Sequence, residues 1–371
     1  MRAVHRWGLV AATCALAVIV PAGVRAWPVP DRDLSAAQVL ALVRAGEGTA
    51  YSGTVETRGR LGLPVSDHFT DIADLLGGDT RLQVWWRSGQ DWRVDKLLDT
   101  GEIDLFHHGD ATVEWNYERA EARTSVDPPI RLPRDADLLP GPLAGRALVA
   151  ATPSDVSRLD PRRIAGVDTV GLRVTPSDPR TSIDHVDLWA DPTTGAVLAL
   201  DAYGTGSQPA LSTAFSSINL RTPRPSATAF RPAPGVRQSV DDILDIADAA
   251  NQFAPFAPPQ EVAGLARTTS SRGAVGIYGA GLTQLMALPL QARDAGYLTD
   301  QLKANGATLV HGTPLLRVGP LGVYLVTSDR PVEVGVDAQE GPTFAWLVTG
   351  TVTDQTLVQA AADLVAGAQF R

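Results

Sequence analysis

The chain has 371 residues and a formal charge of −9, and its 44% hydrophobic and 20% charged content is that of a soluble globular protein. That length exceeds what one core usually holds, so two domains are expected. The acidic balance argues against nucleic acid or an anionic membrane as the main partner, and lysine only at Lys96 and Lys303 leaves little for Schiff-base chemistry.

Arg2, His5 and Arg6 precede an apolar run over 7–24, and Val24-Arg25-Ala26 offers small residues at −3 and −1 of a cleavage site. Residues 1–26 therefore read as a signal peptide or an N-terminal membrane anchor, the run being nearly long enough to stay in a bilayer. The sole cysteine, Cys14, lies inside it, so the exported part is held together by core burial and not by disulfides. The expected location is extracytoplasmic: secreted, periplasmic or on the cell-wall side, with or without a tether at 7–24.

Ser35 and Gln38 form a capping box, Leu34 and Val39 a hydrophobic staple, and Val39, Leu40, Leu42 and Val43 the buried stripe of a first helix. Residues 51–60 read as a strand. From Thr80 the pattern becomes a meander. Leu82, Val84 and Trp86 share a face, 88–91 turn, Trp92 and Val94 return, Ile103 and Leu105 lead to a turn at 108–110, and Val113, Trp115 and Tyr117 alternate with polar residues. Short helices are expected over 138–151 and 154–159, and a strand over 169–175. Residues 185–203 are the clearest hairpin, with Leu188 before a turn at Asp191-Pro192-Thr193-Thr194-Gly195 and Leu198 and Leu200 after it. A last strand is expected at 215–220.

Residues 221–235 have linker composition, and Ser239 is expected to cap a second helix carrying Ile243, Leu244, Ile246 and Ala247. Strands at 274–290, 315–327 and 344–352 and helices at 299–305 and 355–365 make a small α+β unit. The expected organisation is an antiparallel-sheet domain at 27–222, a linker with a helix at 223–259, and an α+β domain at 260–371. The fold class is α+β.

Trp92-Arg93-Val94-Asp95, the Trp189-Ala190-Asp191-Pro192-Thr193-Thr194-Gly195 hairpin, Tyr278-Gly279-Ala280-Gly281-Leu282-Thr283 and Thr349-Gly350-Thr351-Val352 together resemble the MucB/RseB family, whose large domain shares the LolA-like lipoprotein-carrier fold. Ala280 and Thr351 depart from the Asp and Glu of the family pattern. The resemblance implies an eleven-strand half-barrel wrapped over helices, an apolar cavity for acyl chains, and a docking surface for the extracytoplasmic part of a membrane anti-sigma factor. No enzymatic activity and no cofactor other than a bound lipid or fatty acid is implied.

The cavity candidates are Leu82, Val84, Trp86, Trp92, Val94, Ile103, Leu105, Val113, Trp115, Tyr117, Leu188, Leu198 and Leu200; filling a core is the competing role for each. Asp241, Asp242 and Asp245 form an acidic helix face that is either solvated or an anchor for a basic partner. His107 and His108 are adjacent on a strand and point to opposite faces, so they cannot share a metal ion. The glycine pairs at 279–281 and 204–206 lack the spacing of a nucleotide fingerprint, and no nucleophile elbow, zinc-protease motif or P-loop is present. The readings left are an exported lipid-binding regulator, a lipid or lipoprotein carrier between membranes, and a hydrolase with an unrecognised site.

Overall fold

The computed structural model describes residues 28–62, 70–232, 234–240, 245–254, 256–327 and 344–367, with short pieces at 333–334, 339–340 and 369–370. The signal or anchor segment and Asp241 and Asp242 lie outside the described residues. Among the described residues no helix is long and apolar enough to cross a membrane.

The large unit runs α1 (Ala36–Ala45), β1 (Tyr51–Gly59), α2 (Thr70–Gly77), β2 (Asp79–Ser88), β3 (Asp91–Leu98), β4 (Gly101–His108), β5 (Ala111–Asn116), β6 (Glu121–Val126), α3 (Pro140–Leu148), β7 (Val156–Leu159), β8 (Val170–Val174), β9 (His185–Ala190), β10 (Val197–Tyr203), β11 (Leu211–Asn219) and β12 (Arg237–Val240). Its sheet has the order β12-β6-β5-β4-β3-β2-β1-β11-β10-β9-β8-β7. Every pairing is antiparallel except the edge pair β12–β6, which is parallel. Two meanders, β2 to β6 and β7 to β11, are therefore joined through β1.

The capping box forms as expected: Ser35 Oγ accepts from the Gln38 N–H at 3.3 Å and Gln38 Oε1 from the Ser35 N–H at 2.8 Å. Val39, Leu40 and Val43 of α1 and Ala144, Ala147 and Leu148 of α3 pack on Leu172, Leu188 and Leu200. This is the inner face of the sheet. The β9–β10 hairpin also closes as expected, with the Asp191 carboxylate accepting from the Thr194 N–H at 2.8 Å.

Three expected elements differ. Residues 156–159 are a strand following a single 3-10 turn, because Pro153 and the Thr152–Asp155 cap start a turn while Val156 pairs with Val174. Ser239 lies in β12; the helix described after it is α4 (Ile246–Phe253), capped by Asp245, whose carboxylate accepts from the Ala247 and Asp248 N–H groups. Residues 223–230 are no free linker: a helical turn at Pro225–Thr228 and Phe230 lie across the outer face of the sheet.

The smaller unit has β13 (Gly276–Ala280), β14 (Thr283–Gln291), α5 (Ala292–Ala304), β15 (Thr308–Val310), β16 (Thr313–Val318), β17 (Leu321–Thr327), β18 (Phe344–Gly350) and α6 (Asp354–Gly367). Its sheet order is β13-β14-β18-β17-β16-β15. One face packs α6 through Leu357, Ala361 and Leu364 on Leu285, Tyr324 and Val348. The other meets α5 and, from the large unit, Leu61, Leu76 and Ala210. Helix α4 links the two units, Ile246 and Ala250 packing with Ile130 and Val275.

Candidate functional site

Cross-strand partners in an antiparallel ladder lie on the same face. Tyr51 opposes Trp86, Trp86 opposes Trp92, and Trp92 opposes His107, so four rings from β1 to β4 line up across the inner face. They stack. Ring centroids are 6.0 Å apart for Tyr51–Trp86, 5.8 Å for Trp86–Trp92 and 5.0 Å for Trp92–His107, with interplanar angles of 9°, 5° and 15°. Phe215 meets Tyr51 edge-on at 5.2 Å.

The two ends of the stack differ. Tyr51 is buried, its hydroxyl has no hydrogen-bond partner among the described residues, and burial pushes its pKa upward. At the other end His107 Nδ1 lies 2.9 Å from Thr112 Oγ1, which donates to Asp127 at 3.1 Å. With that hydroxyl proton committed to Asp127, His107 Nδ1 is the donor to Thr112. Burial lowers the His107 pKa against the opposing pull of Asp127, which favours the neutral imidazole.

Beside the Tyr51 end lies a cleft of about 850 Å³, between the end of α1, the start of α3 and the β9–β10 turn. Val43, Tyr51, Trp86, Leu148, Val149 and Val197 form its apolar wall. The close approach of α1 to the hairpin turn depends on glycine. Gly195 has φ +75°, and a Cβ there would lie 2.1 Å from the Leu42 carbonyl oxygen.

A second cleft, of about 510 Å³, lies between the two units and is lined by Ala150, Val174, Arg180, Leu265 and Leu282 among others. It is bounded by a polar seam. Thr181 Oγ1 donates to the Leu282 carbonyl at 2.8 Å, the Ser182 N–H to Thr351 at 3.1 Å, and the Thr353 N–H to Arg180 at 2.7 Å. Arg180 also donates to the Gly264 carbonyl, and Ser182 to that of Pro320.

Leu82, Val84, Trp92, Val94, Leu105 and Leu198 share one cluster with Trp86 packed against it. Leu188 and Leu200 belong to the neighbouring cluster under α1 and α3. Ile103 opposes Lys96 on the same face and is half-buried. Of the expected cavity residues, Trp86 alone lines the larger cleft among the described residues; Leu82, Val84, Val94, Leu188 and Leu198 have no exposed surface and are close-packed core.

Val113, Trp115 and Tyr117 do not join them. The turn at Gly109-Asp110 sets Leu105 opposite Glu114 and Asp104 opposite Trp115, which puts Val113 and Trp115 on the outer face. There Trp115 packs on Phe230 at 6.1 Å and on Tyr117 at 6.5 Å, and Tyr117 is 70% exposed. Asp245 is taken up as a helix cap, so it is not part of an open acidic face.

The outer face also holds three carboxylates, Asp95, Glu102 and Asp104, with ligand oxygens within 4.8 Å of one another. Their trace in the sequence is an acidic residue at matching distance on either side of residues 99–100, the turn across which the structure pairs Asp95 with Asp104.

No family model and no curated protein matches the chain. Its structural neighbours include MucB and LolA-superfamily proteins. A chain of the Pseudomonas aeruginosa MucA/MucB complex is 16% identical, covering 91% of this chain and 99% of that one at a TM-score of 0.49. A crystal structure of MucB is likewise 16% identical, covering 88% of this chain and 96% of that one at 0.44. A LolA superfamily protein from Nitrosomonas europaea is 13% identical, covering 53% of this chain and 98% of that one at 0.25.

Proposed function

We propose that this chain is an exported, non-enzymatic regulatory protein that holds a lipid acyl chain in the cleft beside Tyr51 and Trp86. It engages, with both units, the extracytoplasmic segment of a membrane-anchored anti-sigma factor. The cleft itself carries this reading. Its volume of about 850 Å³ falls in the range of small-molecule sites, and its wall is aliphatic and aromatic. Arg44, whose Nη2 already donates to the Leu148 and Ala151 carbonyls, is the lining cation nearest to hand for a carboxylate or headgroup. The partner half of the reading is supported by the resemblance of the Trp189–Gly195 and Tyr278–Thr283 stretches to the MucB/RseB family and by the cleft of about 510 Å³ between the units. Ligand occupancy changes partner affinity only if the acyl chain binds two arrangements of the protein unequally.

Native mass spectrometry of the delipidated protein titrated with fatty acids tests the first half. A one-to-one adduct that is lost on substituting Val149→Glu at the exposed rim is the expected outcome. Absence of any adduct from fatty acid or phospholipid ends the ligand reading. Co-purification with the extracytoplasmic segment of a neighbouring-gene anti-sigma factor tests the second half, and failure of both units together to retain it ends the partner reading.

A further inference from the structure

Strands β3 and β4 place Asp95 directly opposite Asp104 on the outer face of the large sheet, an arrangement of like charges that destabilises a ladder unless something compensates. Both are almost fully buried, Asp95 at 1% and Asp104 at 5% exposure. Glu102 lies beside them with its side chain 39% exposed. Among the described residues one cation serves all three. Arg93 donates from Nε to Asp95 Oδ1 at 2.6 Å and from Nη2 to Asp104 Oδ2 at 2.9 Å, and reaches Glu102 only at 3.9 Å.

The guanidinium is also placed by two rings. It is held over the Trp85 ring at 4.9 Å and the Phe106 ring at 4.6 Å. Among the described residues three carboxyl groups face one guanidinium in a largely buried place, so with all three ionised two charges go uncompensated, which is strongly destabilising unless something neutralises them. A separate observation points the same way. Asp104 Oδ1 is buried and has no hydrogen-bond partner among the described residues, although its sister oxygen is satisfied by Arg93.

We infer that Asp95, Glu102 and Asp104 form a binding site for a hard divalent cation, Ca²⁺ before others, with Arg93 as the fixed internal counter-charge. An all-carboxylate oxygen set selects a hard cation over zinc or copper. Ca²⁺ tolerates irregular geometry and fills its remaining positions with water, which the exposed side of Glu102 admits. The site lies on the face of β3–β4 opposite the ring stack, so it stabilises the meander without occupying the larger cleft.

Calorimetric titration of the EDTA-treated protein with CaCl₂ and MgCl₂ tests this, together with Tb³⁺ luminescence under tryptophan excitation, since Trp85 and Trp115 flank the site. One saturable Ca²⁺ equivalent, a melting temperature that climbs with Ca²⁺ beyond an ionic-strength control, and sensitised Tb³⁺ emission displaced by Ca²⁺ are expected. Glu102→Gln, at the exposed ligand, is expected to weaken Ca²⁺ by at least about tenfold while folding normally. Asp104→Asn is expected to abolish binding and to raise the melting temperature of the metal-free protein. No saturable response to either cation at millimolar concentration, or a Glu102→Gln protein that binds as the parent does, overturns the proposal. So does stabilisation by acid alone, which would mean that protons do the neutralising.

Discussion

Trp86 and Trp92 lie face to face across the β2–β3 hairpin, centroids 5.8 Å apart and planes 5° from parallel, whereas Trp115 faces the other side of the same sheet. The three tryptophans therefore separate core, cleft and outer face. Trp92 is 5% exposed and sits between Trp86 and His107, so Trp92→Ala is expected to cost about 3–5 kcal/mol in urea unfolding. Trp86→Ala is expected to lower fatty-acid uptake, because Trp86 lines the cleft, and Trp115→Ala to leave uptake unchanged. Equal loss of uptake in both proteins would show that the cleft is not where the ligand sits.

Gly195 is the tightest point between α1 and the sheet. Its φ of +75° already disfavours any side chain, and the 2.1 Å approach of a Cβ to the Leu42 carbonyl would push α1 off the hairpin. Gly195→Ala is expected to destabilise by more than about 1 kcal/mol, since strain and displacement add to the ordinary left-handed cost. The same helix end walls the cleft, so fatty-acid affinity should fall together with the melting temperature. A Gly195→Ala protein with parental stability would contradict the close approach.

Much of this architecture was legible where local chemistry decides. Ser35 and Gln38 announced α1, and Asp191 to Gly195 announced the hairpin, because caps and turns are read from a few adjacent residues. The inner-face assignment of Leu82 to Val94 followed from alternation within one hairpin. It failed at Trp115 because alternation gives two faces and does not say which one has a cover; Phe230, more than a hundred positions away, supplies a cover for the outer face. Ser239 reads as a cap from local chemistry alone. Serine before an acidic residue suits a helix start, but pairing of Arg237 to Val240 with Glu121 to Thr124 is a long-range contact that overrode it. The cleft walls at Val43, Leu148 and Val197 carried no signal, since apolar residues at element ends look the same whether they line a void or fill one.

Asp137 holds the segment before α3 in place and ties stability to pH. It accepts from Arg131 Nη1 at 2.7 Å, from Arg146 Nη2 at 2.6 Å and from the Arg134 N–H at 2.8 Å. Burial alone would raise its pKa, but Arg131 first and then the Arg134 N–H and Arg146 outweigh it and hold the carboxyl below its usual range. A depressed folded-state pKa gives stability that is fully present above the unfolded carboxylate value near ~3.9 and is lost as pH falls through the folded value. Asp137→Asn is therefore expected to cost about 1–3 kcal/mol at neutral pH, because it removes the charge from the bonds to Arg131 and Arg146, Arg131 keeping Asp127 and Arg146 being exposed. Denaturant titrations should show that gap narrowing as pH drops below ~4. A gap independent of pH would mean that the charge of Asp137 contributes nothing.

Arg180 joins the two units from a loop of the large one. Its guanidinium donates to the carbonyls of Ala263 and Gly264, while the Asp178 carboxylate holds it by its Nε and Nη2. Asp178 in turn is kept low in pKa by that bond, so the pair stays charged through the neutral range. Loss of the arginine leaves two carbonyls without this donor at the rim of the smaller cleft, and a net loss of about 1–3 kcal/mol is expected for charge-assisted bonds of this kind. Arg180→Ala should accordingly speed hydrogen exchange at 261–268 and along the Thr181–Thr351 seam, while α1 and the ring stack keep their protection. If the units communicate through this seam, the variant should also bind the anti-sigma segment more weakly at unchanged fatty-acid affinity. Parental exchange at 261–268 would show that the seam is held by the Thr181 and Ser182 bonds alone.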